Sequence, residues 1–66
     1  MRIFLNGEEA ETQGAGNVAE LVDRYQMPPQ AILIERNGVA LHRREWRQQI
    51  LAEDDRIEII RVVAGG

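Results

Sequence analysis

Two Asn-Gly dipeptides, at positions 6–7 and 37–38, limit the folds open to this chain more than any other pattern in it. Both central residues of a type I′ hairpin turn need a positive φ, which Asn and Gly adopt at little cost. Each dipeptide lies between short runs that suit β-strands, and these runs are residues 1–6, 8–12, 31–36 and 39–41. The sequence therefore predicts two antiparallel hairpins.

A helix is predicted between the two hairpins. Asn17 has a side chain suited to an N-cap, and Glu20 three residues later completes a capping-box pattern. Apolar residues then follow at helical spacing, namely Val18, Leu21, Val22 and Tyr25. We expect an amphipathic helix of roughly two turns, which Pro28-Pro29 ends.

The remaining segments complete the predicted sheet. Trp46 and the apolar pair at 50–51 favour a one-turn helix or a 3₁₀ segment within residues 44–51 that buries the indole. Acidic residues 53–55 are interpreted as a solvated turn, and 56–63 as a buried strand rich in β-branched residues. The element order predicts an α+β fold, a mixed sheet of about five strands with one main helix packed across it. In this arrangement the first and last strands are parallel neighbours.

Composition restricts the chemistry of the chain. Its 66 residues suffice for one domain with a single small core. It contains no Ser, Cys or Lys, so nucleophilic catalysis would rest on Thr12 or Tyr25. A zinc site needs more ligands than His42, which is interpreted as a solvated residue. We therefore expect a protein that is not an enzyme and that has neither catalytic residues nor a metal site.

Charge and hydropathy argue against two classes of partner. Eight Arg are interspersed with eleven acidic residues, and a net charge of −3 provides no basic stripe for nucleic acid. The longest apolar run, residues 31–34, is far shorter than the ~20 residues that cross a bilayer. No charged and apolar leader opens the chain. We expect a cytoplasmic protein that binds neither nucleic acid nor membrane.

The predicted last strand is followed directly by Ala64-Gly65-Gly66. Because glycine lacks a Cβ, a partner can close around this backbone and reach the terminal carboxylate. Three small residues bury too little surface to offset the entropy lost on ordering them. The chain is therefore divided into a domain at 1–63 and a flexible Gly-Gly tail at 64–66. Taken alone, Gly-Gly is equally consistent with a merely permissive end.

Several segments taken together resemble a known family. They are MRIFLNGE at 1–8, NVAEL at 17–21, NG at 37–38, REW at 44–46 and VAGG at 63–66. The chain resembles the ubiquitin-like β-grasp superfamily and, more closely, the ThiS family, the bacterial sulfur carriers of thiazole (thiamin) biosynthesis. The resemblance covers the whole chain. Asn17 stands where Thr is expected in that family, and either residue caps a helix.

The resemblance implies that other enzymes act on this chain. A terminal carboxylate is ionised at neutral pH and needs activation before a nucleophile attacks it. In the family, a ThiF-like adenylating enzyme uses ATP and Mg²⁺ to convert this group, here on Gly66, to an acyl-adenylate. Sulfur from a cysteine desulfurase persulfide then gives a thiocarboxylate for a ThiG-like thiazole synthase. Residues Ala64, Gly65 and Gly66 are expected to enter partner active sites, while the chain holds no cofactor stably.

Alternation along the strands also predicts a partner-binding patch. It places Phe4, Leu33 and Ile60 on the sheet face that the helix leaves open, and Val62 extends them toward the tail. Apolar side chains that converge on an open face indicate an interaction site. Singly scattered apolar residues, which are normal on protein surfaces, are the alternative interpretation.

Three other functions remain open at this point. A sulfur carrier for molybdopterin synthesis ends similarly, and a ubiquitin-like modifier is ligated to amines of its targets. A noncovalent interaction module would carry Gly-Gly incidentally. The product formed at Gly66 separates these classes, because a carrier exchanges oxygen for sulfur, a modifier forms an isopeptide bond and a module is unchanged.

Overall fold

The computed structural model describes residues 1–62. Its helix and strands are β1 at Arg2–Leu5, β2 at Glu8–Glu11, α1 at Val18–Arg24, β3 at Ile32–Arg36, β4 at Val39–Leu41 and β5 at Arg56–Arg61. The five strands form one mixed sheet in the order β2-β1-β5-β3-β4, with α1 packed on one face. The predicted α+β architecture is confirmed.

Both Asn-Gly dipeptides form the predicted turns. Asn6 and Gly7 have φ values of 50° and 84°, and Asn37 and Gly38 have values of 51° and 85°. The turns join β1 to β2 and β3 to β4 in antiparallel pairs. Each Asn side chain also accepts a backbone N–H of β5, at 2.7 Å for Asn6 and 2.8 Å for Asn37. The two turns are therefore attached to the strand between the hairpins.

The last strand lies in the middle of the sheet. It pairs in parallel with β1 and antiparallel with β3, as expected for parallel first and last strands. Parallel neighbours need a long crossover connection, which α1 and the second hairpin supply. The strand ends at Arg61, earlier than the predicted 56–63. The predicted boundary between a domain at 1–63 and a tail at 64–66 falls outside the described residues.

The start of α1 follows the predicted cap with one difference. Asn17 Oδ1 accepts the backbone N–H of Glu20 at 2.8 Å, which satisfies one of the free donors of the first turn. The Glu20 carboxylate accepts the N–H of Gly16, also at 2.8 Å, instead of the N–H of Asn17. The reciprocal bond of the predicted capping box is thus shifted by one residue.

The end of α1 lies earlier than the proline pair predicts. The helix stops at Arg24, and Gln26 has a φ of 55°, a left-handed conformation through which an α-helix does not continue. The prediction that Pro28-Pro29 ends the helix is therefore wrong. Pro29 instead begins a 3₁₀ helix at Pro29–Ala31, where its fixed φ suits the first position.

The core lies between α1 and the sheet face that it covers. Ile3, Leu21 and Ile57, from β1, α1 and β5, are fully buried there. Trp46 belongs to the predicted short helix, a 3₁₀ helix at Arg43–Gln48, and packs into the same cluster with 4% exposure. One side of the sheet is thus covered by α1, and α1 leaves the other side open.

Candidate functional site

A small apolar patch lies on the sheet face opposite α1. Leu33 on β3 and Ile60 on β5 are directly opposed in the antiparallel pairing. Leu33 is 56% exposed, and Ile60 and Val62 are each 46% exposed. The alternate residues Ile34 and Ile59 face the core instead. We call Leu33, Ile60 and Val62 the open-face patch, and they lie on the face that strand alternation predicts for them.

Phe4 shares this face but lies apart from the open-face patch. Its strand neighbours are Glu9 on β2 and Arg56 on β5. The Arg2 guanidinium carbon lies 5.6 Å from its ring centroid. Ile60 is four residues beyond Arg56, about 13 Å further along the sheet at ~3.3 Å per residue. The structure therefore brings together three of the four predicted patch residues. The position of Phe4 along the sheet depends on the pairing register, which the alternation of residues does not reveal.

Two carboxylates adjoin the open-face patch. Glu35 on β3 and Glu58 on β5 are directly opposed, each two residues from a patch residue on the same strand. Like charges in this position destabilise a sheet. The sequence shows both residues at outward-facing positions, but only the register of β3 against β5 makes them neighbours, and the sequence interpretation missed the pair.

The open-face patch lies next to the part of the chain that carries the predicted tail. The backbone N–H of Val62 donates to the carbonyl of Ala31 at 2.8 Å, which holds residue 62 beside the start of β3. Residues 63–66 lie outside the described residues, and they include the predicted tail Ala64, Gly65 and Gly66. The open-face patch therefore extends to residue 62, which directly precedes residues 63–66 in the sequence.

The acidic run 53–55 differs from the predicted solvated turn. Asp55 is only 5% exposed, and its carboxylate accepts hydrogen bonds from Arg36 Nε at 2.9 Å and Asn37 Nδ2 at 3.0 Å. It also accepts the backbone N–H of Ala52 at 2.8 Å. Burial by itself would raise the pKa of Asp55, but these three hydrogen bonds and the Arg36 charge outweigh it and lower the pKa. Asp55 thus joins the second hairpin turn to the turn before β5.

The two candidate nucleophiles, Thr12 and Tyr25, are held within the fold by burial and by a hydrogen bond, respectively. Thr12 is 2% exposed, and the Tyr25 hydroxyl donates to the carbonyl of Glu11 at 2.6 Å. His42 is exposed, as predicted. Residues 1–62 contain no cluster of three or more side chains suited to hold a metal ion. Within the same residues, no helix combines the length and apolar character needed to cross a membrane.

Comparison with known proteins extends to almost every residue. A family model described as the ThiS family matches residues 3–66. The sulfur carrier protein ThiS of Bacillus subtilis is 29% identical over 63 residues, which cover 94% of this chain and 96% of that protein. The crystal structure of a thiamine biosynthesis protein (ThiS) from Geobacter metallireducens matches with a TM-score of 0.84 and 26% identity, over 100% of both chains. The predicted ubiquitin-like β-grasp fold is thereby confirmed.

A much longer protein contains a similar segment. A thiazole synthase of Magnetococcus marinus is 30% identical over 66 residues, which are 100% of this chain but 20% of the synthase. This chain therefore spans only a fifth of that protein's length.

Proposed function

The chain belongs to the ThiS family, and on this premise we propose that it is a sulfur carrier in thiamine biosynthesis. The match of the family model from residue 3 to residue 66 is the observation that carries the proposal. Agreement in fold with a thiamine biosynthesis protein over the whole chain supports it. In this role the chain is a substrate of its partner enzymes.

The proposed reaction takes place at the carboxylate of Gly66. A carboxylate oxygen attacks the α-phosphorus of ATP on a ThiF-like enzyme that also binds Mg²⁺, and pyrophosphate leaves. The terminal sulfur of a persulfide supplied by a cysteine desulfurase then displaces AMP. The product is an acyl disulfide, and a thiol then attacks the sulfur that belongs to the desulfurase cysteine. A new disulfide forms between the thiol and that cysteine, the acyl disulfide bond breaks, and the thiocarboxylate leaves. The absence of Lys fits this scheme, because no side-chain amine of the carrier competes for the acyl-adenylate, although an Arg-rich composition equally explains it.

The proposed partners are the adenylating enzyme and a ThiG-like thiazole synthase. A thiazole synthase that itself contains a segment similar to this chain supports the second partner. We assign their docking to the open-face patch, which is apolar, exposed and directly before residues 63–66. Removal of exposed apolar groups from water by a partner favours association, and such patches mark interaction sites.

Intact-mass measurement tests the chemistry. The chain is incubated with its adenylating enzyme, ATP, Mg²⁺ and a sulfur source, and the expected product has one oxygen of Gly66 replaced by sulfur. Isopeptide adducts would instead indicate a protein modifier, and an unchanged mass with a competent enzyme would contradict the carrier role. A peptide tag added after Gly66 is the control, and full reactivity of the tagged chain would also contradict the proposal.

A matched pair of variants tests the docking surface. Ile60→Asp introduces a charge into the open-face patch, and Ile50→Asp makes the same change at a residue that is 63% exposed elsewhere. We expect Ile60→Asp to raise the KM of the adenylating enzyme for the carrier by about tenfold or more, and Ile50→Asp by less than about twofold. Phe4→Ala should have the smaller effect because Phe4 lies apart. Unchanged kinetics in Ile60→Asp would remove the assignment.

A further inference from the structure

A concave surface lies on the helix side of the sheet. A groove of about 630 Å³ runs between α1 and the 3₁₀ helix Arg43–Gln48, and we call it the helix groove. Its volume lies within the ~300–1,000 Å³ typical of binding sites. Because α1 covers the sheet face opposite the open-face patch, the helix groove stays accessible when a partner occupies that patch.

One side of the helix groove carries an excess of positive charge, from Arg43, Arg44 and Arg47. All three are exposed, and within residues 1–62 none lies within 4 Å of a carboxylate oxygen. Arg2, Arg24 and Arg36 each have such a carboxylate partner. The groove thus concentrates unpaired cations in a chain whose net charge is −3.

The carboxylates on the other side of the helix groove have contacts of their own. Glu20 accepts the N–H of Gly16 at 2.8 Å, and Asp23 lies 3.7 Å from the Arg24 guanidinium. Neither residue pairs with the three arginines across the groove. The groove therefore keeps an unneutralised positive side that favours an anionic occupant.

The floor of the helix groove is apolar. Val22 and Trp46 are 3% and 4% exposed, and the partly buried Ala19 and Met27 pack against the same core. The Nε1 of Trp46 is buried without a hydrogen-bond acceptor among residues 1–62. Buried N–H groups without a partner are rare. An occupant that brings apolar groups to this floor and acidic groups to the arginines fits the lining.

The spacing of the arginines indicates the shape of that occupant. Side chains three residues apart share one face of a 3₁₀ helix, and at ~2.0 Å of rise per residue Arg44 and Arg47 lie about 6 Å apart along its axis. An extended chain places alternate side chains about 7 Å apart on one side. We propose that the helix groove docks an extended acidic segment of a partner protein. Carboxylates at alternate positions meet the arginines, and the apolar side chain between them packs on Met27.

A designed peptide tests this proposal by NMR. The probe is acetyl-Asp-Leu-Asp-Leu-Asp-amide, titrated into the ¹⁵N-labelled chain, and the reporter is the indole N–H of Trp46, the single tryptophan. We expect a saturable shift of this resonance, and we expect the affinity for the peptide to fall as salt is added. Peptides with Lys or Asn in place of Asp should give no saturable shift. The proposal fails if the acidic peptide gives none at millimolar concentration.

Charge-matched double variants give the control. The double variant Arg44→Gln with Arg47→Gln should raise the Kd for the peptide by about tenfold or more, because two charge-assisted contacts are lost. Arg2→Gln with Arg56→Gln removes the same charge from the sheet face opposite α1, where both arginines adjoin Phe4. This control should weaken peptide binding by less than about twofold. Unchanged amide spectra of the sheet verify that both variants are folded. Equal weakening in both, or an equal indole shift with inorganic tripolyphosphate, would overturn the proposal.

Discussion

Asp55→Ala removes the carboxylate that connects the second hairpin turn to the turn before β5. The side chain of Asp55 is 6% exposed, and that of its ion-pair partner Arg36 is 23% exposed. The substitution leaves three donors without their acceptor: the Arg36 guanidinium, the Asn37 amide and the Ala52 N–H. Two of these belong to the hairpin turn, so the loss acts on the packing of that turn against β5.

The size of the effect follows from the burial of the pair. Removal of one partner of a buried ion pair costs about 3–5 kcal/mol, since the other charge stays desolvated. Arg36 is partly exposed and regains some hydration, so we expect the lower end, about 3 kcal/mol. A domain of 66 residues has a free energy of unfolding of about 3–10 kcal/mol at ~0.05–0.15 kcal/mol per residue. The variant therefore loses a large part of its stability.

Urea denaturation, followed by the fluorescence of buried Trp46, measures this loss. Asp23→Ala is the matched control, because the side chain of Asp23 is 84% exposed and its ion pair with Arg24 lies at the surface. We expect this control to lose less than about 1 kcal/mol. A loss below about 1 kcal/mol for Asp55→Ala, or equal losses in the two variants, would refute the reasoning.

The pH dependence gives a second measurement of the same group. Folding lowers the pKa of Asp55, so its ionised form stabilises the fold above the unfolded pKa of ~3.9. This contribution is lost as pH falls through the lowered, folded-state pKa. The difference in unfolding free energy between the wild type and Asp55→Ala should be constant from about pH 7 to 5 and should shrink below about pH 4. A difference that grows on acidification would contradict the assigned direction of the pKa shift.

Three further predictions concern single positions, each measured by urea denaturation. Asn17→Ala removes the cap of α1 and should lower the unfolding free energy by about 1 kcal/mol. Gly38→Ala places a Cβ at a φ of 85° and should cost about 1–2 kcal/mol, whereas Gly16→Ala, at a negative φ, should be neutral or stabilising. Glu58→Gln removes the repulsion from Glu35 and should raise the unfolding free energy by about 0.2–1 kcal/mol at low salt. A lower unfolding free energy in this variant would contradict the repulsion between the paired carboxylates.

Local patterns were sufficient for the two hairpins, the start of α1 and the two faces of the sheet. Asn-Gly at 37–38 predicts its hairpin because the turn geometry depends on the φ angles of two adjacent residues. Asn17 predicts the start of α1 because an N-cap reaches only the first turn. Alternation assigns Leu33 and Ile60 to the open face because successive strand residues point to opposite sides. Each of these rules acts over a few residues, within the range that a sequence pattern displays.

The amino-acid sequence alone therefore determines the two hairpins, the single helix, the open face and the resemblance that points to Gly66. The folded chain adds what depends on how distant segments meet. Register separates Phe4 from Ile60, and packing buries Asp55 while its neighbours in the acidic run remain exposed. Contacts such as Asp55 with Arg36 join residues from different elements, and their free energy depends on burial and distance, which a sequence pattern does not contain.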